Sequence, residues 1–442
     1  MKLMLSVFRG VAAPLWAITF VVALMSTAVA QPVKISGGLT AGGDVSTAYA
    51  ISPDGAFAVF VADKDTDGKN ELYSVRFSTG VITNISAGLV TGGNVINFQI
   101  SPDSARVVFV ADKDTDQVFD LYSTPIASGA PIKLSGPLVT GGNVFSFLIS
   151  PDSARVVFVA DKDTDNLSEL YSTPIATSAP IKLSGPLVTG GTVQSGFQIS
   201  PDSARVVFRA DKDTDTVFEL YSTPIASGAP IKLSGPLVTG GTVDFSFQIS
   251  PDSARVVFVA DKETDQVFEL YSTPIASGLP IKLSGPLVTG GTVEFSFQIS
   301  PDSARVVFSA SKDTAAVFEL YSTPIASGAP IKLSGPLVSG GTVQSGFQIS
   351  ADSARVVFLA DKLFVQVVEL FRVQIAGAAL ALDFDGDDRV LPLTDALLLA
   401  RYQLGLRGSA LISNAVGVNA TRTSAAAIEA FIQKSLLTPA LP

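Results

Sequence analysis

One short turn in this sequence recurs with acidic residues, and carboxylate oxygens are the ligands that a hard cation such as calcium prefers. The first copy of the turn contains Asp63, Asp65, Asp67 and Glu71. Alternate carboxylates followed by a later acid resemble a calcium loop, because such a cation needs several oxygens converging from a tight turn. These four residues are therefore candidate calcium ligands. The alternative interpretation is a polar hairpin turn whose acids face water, with the intervening lysine balancing part of their charge.

The acidic pattern returns in four further copies of the turn and then decays. The corresponding acids are Asp112, Asp114, Asp116 and Asp120; Asp161, Asp163, Asp165 and Glu169; Asp211, Asp213, Asp215 and Glu219; and Asp261, Glu263, Asp265 and Glu269. In the sixth copy Ser311 and Ala315 interrupt the set, and in the seventh Leu363 and Val365 do so. The pattern thus separates the first five copies from the last two.

A second acidic loop lies near the C-terminus and precedes an apolar, helix-like segment. Its candidate ligands are Asp383, Asp385, Asp387, Arg389 and Asp395. Acids at loop positions one, three and five, a glycine at position four and a helix after the loop resemble a dockerin or EF-hand loop. That resemblance implies three aspartate side-chain ligands, a carbonyl ligand at Arg389 and a closing acid at Asp395.

Two positions depart from that calcium loop. Asp388 stands where a glycine normally makes the sharp turn, and Thr394 occupies the twelfth position, so that the acid comes one residue late. The second half of the segment, residues 414–423, has no acid at all. We therefore predict one weakened calcium site in a two-helix module, with helices over Ala396–Leu406 and Ser424–Leu437. A plain acidic helix-capping turn is the alternative, and cohesin binding is not expected.

The composition excludes several kinds of chemistry. The chain has no His and no Cys, so imidazole and thiolate metal sites, disulfides, a lipid-bearing cysteine and His-dependent nucleophilic triads are all excluded. No G-x-S-x-G elbow is present. Acids are abundant enough for a pair that hydrolyses glycosides, but no single pair stands out. We expect the protein not to be an enzyme.

The acids belong to a repeat of about fifty residues, which must position them. The serine that opens its Ser-Pro-Asp turn recurs as Ser52, Ser101, Ser150, Ser200, Ser250, Ser300 and Ser350. Each unit contains four short apolar runs separated by Gly, Pro, Asp and Ser clusters; in the fifth unit they are Phe247–Ser250, Arg255–Ala260, Phe268–Thr273 and Ile281–Ser284. Four antiparallel strands of this length make one propeller blade.

The ends of the repeat region predict a closed ring. Val33–Ser52 aligns with Ile231–Ser250, so the chain beyond residue 30 begins with a fourth strand, whereas the seventh unit stops matching after its third strand, Glu369–Val373. The fold prediction is therefore an all-β, seven-bladed β-propeller of four-stranded antiparallel blades. The N-terminal strand Val33–Ser36 closes the last blade, and a small α-helical C-terminal module follows. Closure would remove exposed sheet edges.

The repeat resembles that of TolB-like propellers. The residues that carry the resemblance are Ile-Ser-Pro-Asp-Ser-Ala-Arg-Val-Val-Phe followed by Glu-Leu-Tyr, over roughly residues 33–376. The resemblance implies a propeller fold, and says little about function because propellers host unrelated activities. Similar propellers also precede the hydrolase domain of prolyl-oligopeptidase-like enzymes, but no such domain follows here.

Residues 1–30 are typical of a secretory signal peptide. Lys2 and Arg9 form a positive segment, Val11–Met25 is apolar, and Ala28-Val29-Ala30 is a small-residue cleavage site. The predicted domains are thus 1–30 (signal peptide), 31–377 (propeller) and 378–442 (calcium-loop module), in a secreted or periplasmic protein without a transmembrane anchor after cleavage. The net charge is −10, and −12 without the two cations of residues 1–30, which disfavours nucleic acid as a partner.

The copies differ mostly after a Gly-Gly-x-Val sequence, on the ring face that also carries the acidic turns. The variable pairs are Ser46-Thr47, Ile96-Asn97, Phe145-Ser146, Gln194-Ser195, Asp244-Phe245, Glu294-Phe295 and Gln344-Ser345. We predict that this face binds a protein partner or a cell-envelope component, with calcium as the candidate modulator. The alternatives are a carbohydrate-binding or carbohydrate-active protein, with a polysaccharide on Phe145, Phe245 and Phe295, and a structural repeat protein without a specific ligand.

Overall fold

The computed structural model of the protein describes residues 31–375, 384, 393–417, 420 and 422–437. Its strands form seven antiparallel sheets, one for each copy of the repeat; six have four strands and the last has three. The predicted all-β, seven-bladed architecture is confirmed. Each four-stranded sheet runs from its first strand at one edge to its fourth at the other, and the last sheet ends at its third.

The first four blades have these strands. Blade 1 consists of β1 (Val45–Ile51), β2 (Phe57–Ala62), β3 (Glu71–Arg76) and β4 (Ile82–Asn84). Blade 2 consists of β5 (Val95–Ile100), β6 (Arg106–Ala111), β7 (Asp120–Pro125) and β8 (Ile132–Lys133). Blade 3 consists of β9 (Val144–Ile149), β10 (Arg155–Ala160), β11 (Glu169–Pro174) and β12 (Ile181–Lys182). Blade 4 consists of β13 (Gln198–Ile199), β14 (Arg205–Ala210), β15 (Glu219–Pro224) and β16 (Ile231–Lys232).

The last three blades follow the same order. Blade 5 consists of β17 (Val243–Ile249), β18 (Arg255–Ala260), β19 (Glu269–Pro274) and β20 (Ile281–Lys282). Blade 6 consists of β21 (Val293–Ile299), β22 (Arg305–Ala310), β23 (Glu319–Pro324) and β24 (Ile331–Lys332). Blade 7 consists of β25 (Gln348–Ile349), β26 (Arg355–Ala360) and β27 (Glu369–Gln374).

The second strand of each internal blade is buried on both faces because a neighbouring blade covers each one. In β18, Val257 and Val259 pack forward against blade 6, whereas Val256 and Phe258 pack backward against blade 4. Side chains alternate across a strand, so a Val-Val-Phe-Val run supplies apolar groups to both sides at once. Phe258 also pairs with Tyr271 on β19, with ring centroids 5.6 Å apart.

Each pair of neighbouring blades is also joined through its Ser-Pro-Asp turns. The N–H of Asp252 donates to the hydroxyl of Ser303 in the next blade at 3.0 Å. The same bond occurs at all six boundaries, from Asp54, Asp103, Asp152, Asp202, Asp252 and Asp302 to Ser104, Ser153, Ser203, Ser253, Ser303 and Ser353. Blade 1 has Gly55 at the position of these serines, with the same positive φ. Successive blades are thus related by one repeated set of contacts.

The prediction that the N-terminal strand closes blade 7 is wrong. In the described part of the chain, Val33–Ser36 belongs to no strand, and the sheet of blade 7 ends at β27. Tyr49 of blade 1 is 74% exposed, and Leu370 of blade 7 is 69% exposed. The strand Val33–Ser36 can pair with β27 only if blade 1 stands beside blade 7, and the exposure of Leu370 shows that it does not.

The C-terminal segment contains three helices among its described residues, where two are predicted. They are α1 (Asp395–Gln403), α2 (Ser409–Ile412) and α3 (Ala425–Leu437). The first ends before Gly405, whose φ of +83° is left-handed, and the extra turn α2 buries Leu411 against Leu398 and Ile428. None of the described helices has the length and apolar character needed to cross a membrane.

Candidate functional site

The first acid of the repeated turn is a backbone cap. Asp63 accepts hydrogen bonds from the N–H groups of Asp44 and Gly68, the second at 3.0 Å. These two donors hold the pKa of Asp63 below its ordinary value. Because Asp44 precedes β1 and Gly68 lies in the turn after β2, the carboxylate fixes two loops at the same edge of the blade. This placement confirms that the fourth-to-first connection and the second-to-third turn share one face.

The other three acids of this turn have separate surroundings. Asp65 accepts from the ammonium of Lys64 at 2.9 Å and from the Tyr73 hydroxyl at 3.0 Å. Glu71 accepts from the same hydroxyl at 3.1 Å. Asp67 lies against Gly42, whose φ of +89° is in the left-handed region that favours glycine. Asp65 and Glu71 therefore converge on one hydroxyl, whereas Asp63 and Asp67 lie against other groups.

Blades 2 to 6 place a lysine from the fourth strand over the buried acid that begins the third. The pairs are Lys133–Asp120, Lys182–Glu169, Lys232–Glu219, Lys282–Glu269 and Lys332–Glu319, at 2.6–2.8 Å. Partial burial alone would lower the pKa of Lys232, but its hydrogen bonds and charge pairing with Glu219 and Asp213 outweigh burial and raise it. Burial and Glu219 raise the pKa of Tyr221, which keeps its hydroxyl protonated. This cluster fastens the edge strand to its blade.

No group of three or more acids in the described residues is arranged to hold a metal ion. Of the C-terminal candidates, Asp383, Asp385, Asp387 and Arg389 lie outside those residues. Asp395 is fully buried, and its carboxylate accepts from the N–H of Phe384 at 2.6 Å and from the Thr394 hydroxyl at 3.1 Å. The acid predicted to close a calcium loop thus ties the start of that loop to the first turn of α1.

The variable residues line up because the first strands of successive blades stand side by side. Gln198 donates from its side-chain nitrogen to the carbonyl of Phe247 in the next blade at 2.7 Å, and Gln248 repeats the bond to Phe297 at 2.9 Å. Phe145, Phe245 and Phe295 sit at the start of this row and are at least half exposed. The predicted variable face is therefore one continuous row of side chains at one edge of the blades.

One residue beside this row, on the second strand of blade 4, has no charged counterpart in the other copies. Arg209 takes the place of a valine in the pattern Val-Val-Phe-Val and lies between the rings of Phe218 and Phe245, 4.1 Å from each centroid. Its Nε donates to the carbonyl of Val243 at 2.6 Å, and burial lowers its pKa to about 10. Arg209 was not singled out from the sequence, although one charged residue in an otherwise apolar run departs from the repeat.

A cleft of about 390 Å³ opens beside the variable pair of blade 6. Phe295 and Phe318 line it together with Glu294, whose buried Oε2 has no hydrogen-bond partner among the described residues. Phe268 meets Phe295 edge-on at 5.2 Å and fixes the orientation of that ring. An aromatic wall beside an unpaired carboxylate oxygen can accept a ligand with both apolar and hydroxyl-bearing surfaces.

Blade 7 replaces the acidic turn with an exposed apolar one. We call this the apolar turn: Leu363, Phe364, Val365, Val367 and Val368. Thr342, in the connection that leads to the variable pair of blade 7, donates its N–H to Asp361 at 2.5 Å, which places the turn on the variable face. In blade 7 the acids missing from the sequence pattern are therefore replaced by apolar side chains that form an exposed surface. Phe364 in this surface is 66% exposed.

Acid should destabilise the protein through its Ser-Pro-Asp turns. Burial alone would raise the pKa of Asp152, but the Ser150 hydroxyl and the Ala154 N–H outweigh it and lower the pKa below the ordinary 3.8. A carboxyl with a depressed folded pKa stabilises the fold above its unfolded pKa, and that contribution is lost as pH falls through the folded value. We expect the free energy of unfolding to be nearly constant from about pH 5 to 8, because no His titrates there, and to fall below about pH 4.

Urea denaturation at stepped pH checks this expectation, with Ser150→Ala as the matched variant. Removing the hydroxyl should move the pKa of Asp152 upward in a carboxyl titration followed by NMR. The role given to these turns would be contradicted if Ser150→Ala left the fall in the free energy of unfolding below about pH 4 unchanged. A large change in that free energy between about pH 5 and 8 would also contradict it.

One protein family and several solved structures are similar to parts of this chain. Residues 23–168 match the family described as the lipoprotein LpqB beta-propeller domain. A solved structure described as putative TolB from Agrobacterium tumefaciens is 19% identical over 53% of this chain and 79% of its own, with a TM-score of 0.32. The beta-propeller domain of the Trilobed protease from Pyrococcus furiosus is 13% identical over 72% of this chain and 92% of its own, with a TM-score of 0.34.

An oligogalacturonate lyase in complex with manganese is 15% identical over 74% of this chain and 89% of its own, with a TM-score of 0.38. No curated protein matches the chain. At these identities and scores the solved structures add nothing on activity. The seven blades and the family match over residues 23–168 together support a β-propeller.

Proposed function

We propose that this protein is a non-enzymatic propeller scaffold of the cell envelope that binds a protein partner through its variable face. The observation that carries the proposal is the apolar turn of blade 7, Leu363 to Val368, which exposes five apolar side chains beside the row of variable residues. Contiguous apolar surface of this kind marks interaction sites in soluble proteins. The buried acids and lysines of the other blades hold their turns in place and leave the variable positions free to differ.

An envelope or periplasmic location is part of the proposal. The family matched by residues 23–168 is described as a lipoprotein propeller domain, and the predicted signal peptide would export the chain. The signal peptide itself lies outside the described residues.

Substitution on the variable face tests the proposal. Phe364→Ser combined with Val365→Ser should abolish capture of the partner from solubilised native envelope by the immobilised protein, because both side chains are exposed and contribute little to folding. Phe77→Ser is the matched control, since Phe77 is also exposed but lies beside the Ser-Pro-Asp turn at the opposite edge, where its N–H bonds to Ala56 at 3.0 Å. Equal capture by the wild type and both variants would refute the proposal.

Carbohydrate binding is the second candidate, and the Phe295 cleft favours it. A sugar presents an apolar face that can stack on an aromatic ring and hydroxyls that can donate to a carboxylate. Phe295 supplies the aromatic ring, and the unpaired Oε2 of Glu294 supplies the carboxylate acceptor. We expect Glu294→Gln and Phe295→Leu each to lower affinity about tenfold or more for any envelope polysaccharide that binds. Calorimetric binding unchanged by both variants would exclude the cleft, and the absence of any polysaccharide or protein ligand would favour a purely structural repeat protein.

Calcium is proposed to order the C-terminal loop. The support is the spacing of Asp383, Asp385 and Asp387 and the position of buried Asp395, which joins that loop to α1. Chelation should reduce the helical circular dichroism of the protein, and Asp383→Ala with Asp385→Ala should remove the response to calcium. A spectrum that is the same with calcium and with chelator would end the proposal.

A further inference from the structure

The two ends of the blade array expose surfaces that every internal boundary buries. The forward face of blade 7 presents Val357 and Leu370, whose equivalents Val257 and Leu270 are fully buried in blade 5. The backward face of blade 1 presents Tyr49, and its equivalent Phe247 is buried against blade 4. Phe60 and Tyr73, which lie on the same face of blade 1 as Tyr49, are buried. The forward face of blade 7 is therefore the end that lacks the apolar cover found at the six internal boundaries.

The repeated boundary does not close after seven blades. All six boundaries share the same apolar layer and the same Asp-to-Ser hydrogen bond, so each turns the next blade by a similar step. After six such steps the forward face of blade 7 remains exposed at Val357 and Leu370. A head-to-tail interface whose rotation does not close continues as an open array when more units are added.

The N-terminal segment Val33–Ser36 has the sequence of a fourth strand but joins no sheet within the described chain. It aligns with Ile231–Ser234, which includes β16 of blade 4, and Val33 is 80% exposed. Between any two neighbouring blades the fourth strand of one leads directly into the first strand of the next. A segment with this sequence therefore fits beside the third strand of a blade that lacks a fourth strand of its own.

Blade 7 keeps the acid that this missing strand would pair with. In blades 2 to 6 a fourth-strand lysine covers the first acid of the third strand at 2.6–2.8 Å. The corresponding acid of blade 7 is Glu369, whose buried Oε2 has no hydrogen-bond partner in the described part of the chain. The lysine at the corresponding position of the N-terminal segment is Lys34. Charge and position thus match across the open ends.

We propose that the protein associates head to tail, with Val33–Ser36 of one copy forming the fourth strand of blade 7 in a second copy. Lys34 of one copy pairs with Glu369 of the other, and Ile35 takes the place of Leu283, which packs in the same apolar cluster as Leu270 in blade 5. Adding an edge strand supplies backbone hydrogen bonds, and the apolar pockets of the blade supply specificity. This contact lacks one bond of the internal boundaries, because Gly55 offers no hydroxyl to the N–H of Asp352, so we expect the association to be weaker than blade packing within a chain.

A charge exchange between two variants tests this association. Lys34→Glu and Glu369→Lys each place like charges at the junction and should weaken self-association about a hundredfold. In a mixture of the two, the introduced glutamate of one variant meets the introduced lysine of the other, and the native Lys34 meets the native Glu369. Every junction in the mixture is then complementary, so the mixture should assemble where neither variant does.

Sedimentation velocity over a range of concentrations measures the wild type, the two variants and their mixture. The proposal expects assembly of the wild type and of the mixture alone. A wild-type protein that stays monomeric at every concentration, or a mixture no larger than its components, would overturn the proposal.

Cysteine pairing separates association from closure within one chain. The chain has no native Cys, and the register of blade 5, where Ser272 pairs with Ile281, places Val33 opposite Arg372. A mixture of Val33→Cys and Arg372→Cys single variants should give a disulfide-linked dimer on non-reducing gels, which only contact between copies can form. A variant that carries both Val33→Cys and Arg372→Cys tests closure. If its disulfide forms within one monomer and the mixture of single variants gives no dimer, the ring closes within one chain and head-to-tail assembly is refuted.

Discussion

Leu270→Ala should destabilise the protein by about 2–5 kcal/mol, whereas the same change at Leu370 should cost less than about 0.5 kcal/mol in the monomer. The two leucines occupy the same position of the third strand in blades 5 and 7. Leu270 is fully buried between blades 5 and 6, and Leu370 is 69% exposed. Truncation of a buried leucine removes its transfer free energy and leaves a cavity, and neither cost arises on an uncovered face.

Urea denaturation of dilute protein, with hydrogen exchange of the affected blade, measures both variants. Exchange is needed because a repeat array gains its stability blade by blade and need not unfold in one step. The two leucines are the internal control for each other, since they share sequence context and secondary structure. Equal costs at both sites would show that blade 7 is covered in the monomer and would restore the closed ring predicted from the sequence.

Asp261→Ala should cost about 2–4 kcal/mol because it leaves two backbone donors without a partner at a buried site. The carboxylate accepts from the N–H of Thr242 at 2.5 Å and from that of Gln266 at 3.1 Å. Asp261→Ser should cost less, since blade 6 has Ser311 here and its hydroxyl still accepts from Thr292 at 3.0 Å. Asp265→Ala, at an exposed acid of the same turn, should change stability by less than about 0.5 kcal/mol.

Thermal unfolding of these three variants, with and without calcium, distinguishes a structural turn from a metal site. A capping role predicts the largest loss for Asp261→Ala, a smaller one for Asp261→Ser and the smallest for Asp265→Ala, with no dependence on calcium. The calcium hypothesis for these turns predicts instead that calcium stabilises the wild type and that Asp265→Ala reduces the effect. A loss at Asp265 as large as that at Asp261 would therefore contradict the capping role.

Local sequence signals predicted the blades well. The runs Arg255–Ala260 and Ile281–Ser284 correspond to β18 and β20, because strand alternation and turn residues act over a few positions. The first strand is longer than predicted and begins at Val243, and a bulge between Val243 and Phe247 leaves the variable residues there out of the pairing register. The shared face of the acidic turn and the fourth-to-first connection also followed from strand order alone.

The partners of individual acids could not be predicted in the same way. Asp63, Asp65 and Glu71 have the spacing of converging ligands, but the blade gives them different surroundings. The nearest donor to each acid depends on which loop or strand packs beside the turn. For Asp63 that donor is the N–H of Asp44, 19 residues away in the sequence. Arg209 was missed for the same reason, since its stacking between Phe218 and Phe245 joins three separate elements.

The sequence by itself determined the repeat, the four strands of a blade, the number of blades and the variable row, because periodic patterning and turn chemistry are local. Only the tertiary structure decided whether the ring closes. Closure depends on the angle between successive blades, which the packing of whole side-chain layers sets, and a small difference per step accumulates over six boundaries. The N-terminal strand and the open edge of blade 7 match in sequence, but the fold keeps them apart within one chain.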